Sequence, residues 1–203
     1  MTAPKVAGIL LAAGLSVRTA GVDKLQLPLA GKPIWRHALD NALASRLGEI
    51  FWVVRPGCEI AAVERSGRVT VVENVDYREG ISASIRSGVT AARNRCGGFL
   101  ILLADLPNLK PKTIDRYLLA FEAGSRLVAA RRGSEAGSPA LFHLDFADEL
   151  VALTGDRGAR SILTRHSSLV TTLDVHEDEL LDVDTFEAYE KLKCRMAPPP
   201  GEI

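Results

Sequence analysis

The residues best suited to chemistry lie near the start of the chain. Gly8-Ile9-Leu10-Leu11-Ala12-Ala13-Gly14-Leu15-Ser16-Val17-Arg18 is followed by Asp23-Lys24-Leu25. An apolar strand that runs into a turn of small residues lets backbone N–H groups approach phosphate oxygens. Arg18 and Lys24 can then neutralise phosphate charge. The chemistry in view is the handling of a nucleoside triphosphate. Two common phosphate loops do not fit. A Walker A loop carries Ser or Thr directly after its Gly-Lys, whereas Lys24 precedes Leu25 and Gly31-Lys32 precedes Pro33. The Gly-x-Gly-x-x-Gly of dinucleotide sites is absent after this strand.

Four more segments carry polar groups at telling places. Asp105 follows the apolar run from Phe99 to Ala104 and precedes Leu106-Pro107. Ligands of parallel sheets bind beyond the carboxyl ends of strands. A carboxylate there suits magnesium, which takes few oxygens from protein and the rest from phosphate and water. The alternative is an Asp that starts a turn. In Leu181-Asp182-Val183-Asp184-Thr185, Asp182 and Asp184 point to one side of an extended segment. Asp184 is the preferred partner for Asp105 at a cation, with Asp182 in support; the alternative is an acidic cluster favoured by a helix dipole. Gly80 permits a sharp entry to a helix that opens with Ser82 and Ser84. Free N–H groups and hydroxyls there can read an anion or a base edge, or the serines simply cap. Gly137-Ser138-Pro139 and Gly155-Asp156-Arg157-Gly158-Ala159-Arg160 complete the set. Gly155 and Gly158 allow close backbone approach, and Arg157 or Arg160 could hold a phosphate; a helix-opening loop with structural ion pairs is the alternative.

These groups need a frame. Strand-like runs at residues 6–11, 50–54, 69–72, 99–103 and 127–130 alternate with helical ones at 34–44, 61–65, 82–93 and 112–121. Pro33 and Pro111 suit first helical turns. Alternation of this kind predicts a mostly parallel sheet covered on both faces. Residues 132–138 are polar and Gly-rich and read as a mobile loop. Residues 139–142 read as extended, 145–153 and 159–165 as helical, and 170–173 as an edge strand. Thr185 reads as the cap of a closing helix over 185–192. Ala197-Pro198-Pro199-Pro200-Gly201 cannot continue it, so 197–203 is expected to be a disordered tail after a single domain over 1–196.

Composition narrows the function classes. The chain has 203 residues, 47% hydrophobic, with a formal net charge of +0. There is no basic excess for nucleic acid or a membrane surface, and no apolar run long enough to span a bilayer. The opening Met1-Thr2-Ala3-Pro4-Lys5 lacks the layout of a signal peptide, so a cytoplasmic location is expected. Cys58, Cys96 and Cys194 are scattered and suggest neither disulfides nor a metal cluster. His37, His143, His166 and His176 lack ligand spacing. Trp35 and Trp52 read as core aromatics.

Taken in order, the motifs resemble those of the molybdenum-cofactor type of nucleotidyltransferase, the MobA-like family. Leu11-Ala12-Ala13-Gly14, Ser16 and Arg18, then Lys24-Leu25 and Gly31-Lys32-Pro33, are similar to its opening loop, with Thr19 and Ala20 in place of Met or Phe and then Gly. Ala104-Asp105-Leu106-Pro107 is similar to its Gly-Asp-Met-Pro. Asp182-Val183-Asp184-Thr185-Phe186-Glu187 is similar to its late acidic segment, with Phe186 in place of Pro. Gly80-Ile81-Ser82-Ala83-Ser84, Gly137-Ser138-Pro139-Ala140-Leu141-Phe142 and Gly155-Asp156-Arg157-Gly158-Ala159-Arg160 also have counterparts. The resemblance covers residues 6–192.

It implies a Rossmann-like three-layer α/β domain of the glycosyltransferase-A type. It implies a Mg2+-dependent transfer of CMP from CTP to the phosphate of molybdopterin, with release of pyrophosphate. Leu11, Ala12, Ala13, Gly14, Ser16, Arg18, Lys24, Gly80, Ser82 and Ser84 would bind the nucleotide. Arg18, Lys24 and Asp105 would be catalytic, and Asp105 and Asp184 would hold the metal. Gly137, Pro139, Gly155, Asp156, Arg157 and Arg160 would face the acceptor, and a molybdenum hydroxylase would be a partner. Ala12-Ala13-Gly14 resembles the cytidine-using branch. GTP as the nucleotide, another phosphorylated small molecule as acceptor, a non-catalytic cofactor-delivery role and a Rossmann-like oxidoreductase stay open.

Overall fold

The computed structural model describes residues 5–14, 23–58, 67–133 and 135–196. The expectations for Ser16, Arg18, Thr19, Ala20, the helix at 61–65 and the tail at 197–203 lie outside the described residues.

Strand β1 (Val6–Leu11) is buried throughout. A 3-10 turn (Lys24–Gln26) and a small hairpin of β2 (Pro28–Leu29) and β3 (Lys32–Pro33) lead to α1 (Ile34–Ala44). Next come β4 (Ile50–Val54), β5 (Val69–Glu73), α2 (Ile81–Ala92), β6 (Gly98–Leu103) and α3 (Pro111–Glu122). Then follow β7 (Leu127–Arg132), β8 (Glu135–His143), α4 (Ala147–Val151), α5 (Arg160–Arg165), β9 (Val170–Leu173) and α6 (Phe186–Met196). Thr185 caps α6 as expected: its hydroxyl accepts the N–H of Ala188 at 3.1 Å.

The main sheet has seven strands in the order β5-β4-β1-β6-β8-β7-β9. Strand β8 is antiparallel to both its neighbours, and the other pairings are parallel. The mostly parallel sheet expected from the alternating pattern is therefore present, with one reversed strand set inside it.

That strand corrects one reading. Among the described residues of 132–138, Arg132 ends β7 and Glu135 to Ser138 begin β8, so the expected loop is largely paired strand. The strand ends are polar where the hairpin leaves the buried body of the sheet: Arg131, Arg132 and Glu135 are exposed while their backbone stays paired. The register shifts between Ala129 and Ala130, as at a bulge that re-aims a strand end.

Two apolar layers hold the sheet, one on each face, because successive strand residues point to opposite sides. On one face Leu10, Trp52, Leu100 and Leu102 pack against α1, α3 and α6 through Trp35, Leu39, Tyr117 and Leu192. On the other, Ile9, Phe51, Phe99 and Phe142 pack against α2, α4 and α5 through Ile85, Val89, Leu150 and Ile162. A Cβ on Gly88 of α2 would lie 2.4 Å from Cγ2 of Ile9 and 3.0 Å from Cγ2 of Val53. Only glycine lets α2 come this close to the sheet, and α2 carries Ser82 and Ser84 at its amino end. Among the described residues no helix is long and apolar enough to cross a membrane.

Candidate active site

Strands β1 and β6 run parallel, and Asp105, just beyond the end of β6, meets Lys24 and Asp184 there. Three backbone hydrogen bonds fix the geometry. Ala12 donates to Val53 O at 2.8 Å, Ala104 to Leu11 O at 3.0 Å, and Val183 to Asp105 O at 3.2 Å. The first two lock the turn after β1 and the residue before Asp105 to neighbouring strands. The third brings the late acidic segment against Asp105, with Val183 buried as its anchor.

Lys24 enters from a separate element. Asp23 caps its 3-10 turn by accepting the N–H of Leu25 at 3.1 Å, and Arg55 donates to the same carboxylate at 2.5 Å. Leu25 and Leu29 anchor the segment in the core. Lys24 Nζ donates to Asp105 Oδ2 at 2.6 Å and to Asp184 Oδ1 at 2.7 Å. Lys24 and Asp105 are sheltered, each with 18% of the side chain exposed, against 45% for Asp184. Burial opposes the charge on Lys24, but Asp105 and Asp184 outweigh it and hold the ammonium above the ordinary lysine value. Burial raises the Asp182 carboxyl, and the charges of Asp184 and Asp105 push it further.

The cluster fits a divalent cation by its donors. Two carboxylates share one ammonium, and among the described residues Asp105 Oδ1, which is buried, has no hydrogen-bond partner. An unpaired buried acceptor costs free energy unless something else satisfies it. Carboxylate oxygens are the ligands magnesium and manganese prefer.

The Gly80 and Gly155 motifs, which the sequence suggests for different ligands, meet each other. Gly80 has φ +98, and a Cβ there would lie 2.1 Å from Asp156 Oδ1. Ser82 donates to Gly155 O at 2.5 Å, and its side chain is fully buried. Ser84 accepts from Asn74 Nδ2 at 3.0 Å, also out of water. The two serine hydroxyls therefore tie α2 to its neighbours. Leu11, Ala12 and Ala13 are buried and Gly14 is exposed. Gly137 and Pro139 lie at the start of β8, with Pro139 O accepting from Tyr117 at 3.0 Å. Arg132 lies over Gly137 and donates to Ser138 O at 3.1 Å. Arg160 is ion-paired to Glu135, and Arg157 is exposed.

Two residues at this edge were not singled out from sequence. Arg55 follows β4, and Asn74, only 1% exposed, follows β5. Both stand just beyond strand carboxyl ends, and that position is the signal that would have found them. The histidines serve locally: His143 and His176 accept the N–H groups of Asp145 and Asp178, His37 bonds Leu29 O, and His166 bonds Glu149. Among the described residues no group of three or more His, Cys, Asp or Glu is placed to hold a metal. A cation here would take two protein carboxylates and draw its other oxygens from nucleotide and water.

Comparison with known proteins matches residues 8–170 to the family described as MobA-like NTP transferase domain. The chain is 32% identical to purine catabolism protein PucB of Bacillus subtilis, over 97% of this chain and all of that protein. It is 27% identical to nicotine blue oxidoreductase of Paenarthrobacter nicotinovorans, over 93% and 97% of the two. Among solved structures it resembles Rv0371c of Mycobacterium tuberculosis at TM-score 0.80 and 29% identity, over 95% and 98% of the two chains. A manganese complex of that protein matches at TM-score 0.74 and 26% identity, over 94% and 98%.

Proposed function

Since the chain belongs to the MobA-like NTP transferase family, we propose that it transfers CMP from CTP to the phosphate of molybdopterin and releases pyrophosphate. The observation that carries this reading is the meeting of Lys24, Asp105 and Asp184 at the carboxyl edge of the sheet. One cation and two carboxylates, drawn from three separate segments, are what a metal-assisted phosphoryl site needs and what passive binding does not.

An oxygen of the acceptor phosphate attacks the α-phosphorus in line. The new P–O bond forms as the bond to the β-phosphate oxygen breaks, and pyrophosphate leaves with that electron pair. A phosphate monoester has a second pKa of roughly 6 and is largely a dianion at neutral pH, so no general base is required. Alignment and charge neutralisation carry the catalysis. Asp105 and Asp184 would hold a divalent cation, Mg2+ in this reading, which would supply charge neutralisation at the triphosphate. Lys24 stabilises charge on the α-phosphate, and Arg18 holds the departing pyrophosphate. Leu11 to Gly14, Ser16 and the Gly80–Ser84 turn form the nucleotide side. Gly137, Pro139, Gly155, Asp156, Arg157 and Arg160 form the acceptor side. A molybdenum hydroxylase that receives the product is the partner this implies, in the cytoplasm.

The test is pyrophosphate release with Mg2+ and molybdopterin, offering CTP, GTP, ATP and UTP separately. Release with CTP that depends on the acceptor supports the reading. Release with GTP keeps the mechanism and changes the nucleotide. The relative named as an oxidoreductase favours a second reading, redox chemistry on a Rossmann-like frame. A flavin absorbance band in the purified protein, with no pyrophosphate release, would support it.

A further inference from the structure

Two roles proposed for this site compete for one place. Asp105 and Asp184 are to hold a divalent cation, and Lys24 is to sit on phosphate. Lys24 Nζ lies 2.6 Å from Asp105 Oδ2 and 2.7 Å from Asp184 Oδ1. An ammonium hydrogen-bonded to both carboxylates repels a divalent cation and uses the oxygens that cation needs. We infer that Lys24 has two stations: it fills the cation subsite of the free protein, and a nucleoside triphosphate draws it away so that the metal enters with the nucleotide. This rests on the nucleotide and metal parts of the proposed function and is independent of the acceptor and of the base.

The surroundings fit an exchange better than a permanent ion pair. Lys24 has a flexible four-carbon stem and three donors that can be re-aimed. Its backbone is held, because the 3-10 turn is capped by Asp23 and anchored by Leu25; only the side chain needs to move. Lys24 leaves Asp105 Oδ1 buried and, among the described residues, without a partner, so its station here does not complete the carboxylate. A structural salt bridge has no use for that open acceptor, whereas a cation or its bound water can fill it. The triphosphate brings negative charge to the neighbouring turn after β1 and offers Lys24 an alternative partner as the two carboxylates lose their ammonium. Nucleotide and cation then bind with positive coupling, and linkage makes this reciprocal. The free protein is kept from binding metal with no substrate present.

Titration of the full-length protein with Mn2+, read by the loss of free-ion electron paramagnetic resonance signal, tests this without turnover. Wild type alone should bind Mn2+ weakly. Lys24→Met should bind it at least about tenfold more tightly, within the usual range of coupling between sites, and Lys24→Gln should do the same if Met perturbs folding. Asp105→Asn added to Lys24→Met should remove the gain. A non-hydrolysable CTP analogue should raise Mn2+ affinity of wild type beyond chelation by the analogue alone, and Lys24→Met should lose most of that increment. Equal or weaker Mn2+ binding by folded Lys24→Met and Lys24→Gln would overturn the exchange. The pyrophosphate assay stands apart: the lysine variants can gain metal affinity when no acceptor is turned over, and turnover can occur when they do not.

Discussion

Asp105 is the residue on which the proposed chemistry most depends. One of its carboxylate oxygens is bonded to Lys24 and the other is buried with no partner among the described residues, a cost the fold carries at this position. Asp105→Asn keeps the shape and removes the charge. We expect it to retain the wild-type circular dichroism spectrum and melt within about 1 kcal/mol of wild type, since the lost charge-assisted bond is offset by the smaller cost of burying a neutral amide in place of a carboxylate. Turnover should fall by at least about 100-fold, the scale of losing one electrostatic group at a reacting phosphate. Near-normal pyrophosphate release would remove Asp105 from the site. Tyr117 gives the contrast. Its ring is buried, burial pushes its phenol well above the ordinary value, and its hydroxyl donates to Pro139 O at 3.0 Å. Tyr117→Phe should cost about 1 kcal/mol of stability by denaturant titration, with Pro139 shifting slightly.

Between residue and domain, two glycines decide how elements meet. Gly88 lets α2 lie close on β1 and β4, where a Cβ would press on Ile9 and Val53. Gly88→Ala should lose roughly 1–3 kcal/mol by overpacking. Gly80 combines a left-handed φ of +98 with the approach of Asp156. Gly80→Ala should therefore also displace the Gly155–Arg157 turn. If that turn and the start of α2 belong to one ligand site, Gly80→Ala should weaken nucleotide or acceptor binding by a larger factor than Gly88→Ala at equal stability loss. Equal effects on binding, measured by calorimetry, would mean that both glycines serve packing alone.

Over the whole molecule, the site depends on a sheet clamped between two apolar layers. Trp52 is fully buried in β4 and stacks on Trp35 of α1 at 4.9 Å between ring centroids. Trp52→Ala should cost about 3–5 kcal/mol, which in a domain of this size lowers the melting temperature by roughly 2–4 °C per kcal/mol. A loss well under 2 kcal/mol would mean that α1 is not coupled to the sheet through this pair.

The sequence by itself determined much of the fold and the chemistry on offer. Apolar runs such as 50–54 and 99–103 became β4 and β6 because strand burial is written locally, and Thr185 was legible as a cap for the same reason. The types of the candidate residues, small ones after β1 and carboxylates after β6 and before α6, were also local. What only the tertiary structure decided was which of them meet. Lys24 and Asp184 are 160 residues apart, and nothing in either neighbourhood says that both reach Asp105. Ser82 and Ser84 were legible as hydroxyls at a helix start, but their pairing with Gly155 O and Asn74 was not. Residues 132–138 had the composition of a loop, but pairing between Arg132 of β7 and Glu135 of β8 carries the strands into it. These outcomes depend on hydrogen bonds and packing between distant segments. Composition and periodicity record a segment's own preference for strand, helix or turn, and hold no record of its neighbours in space.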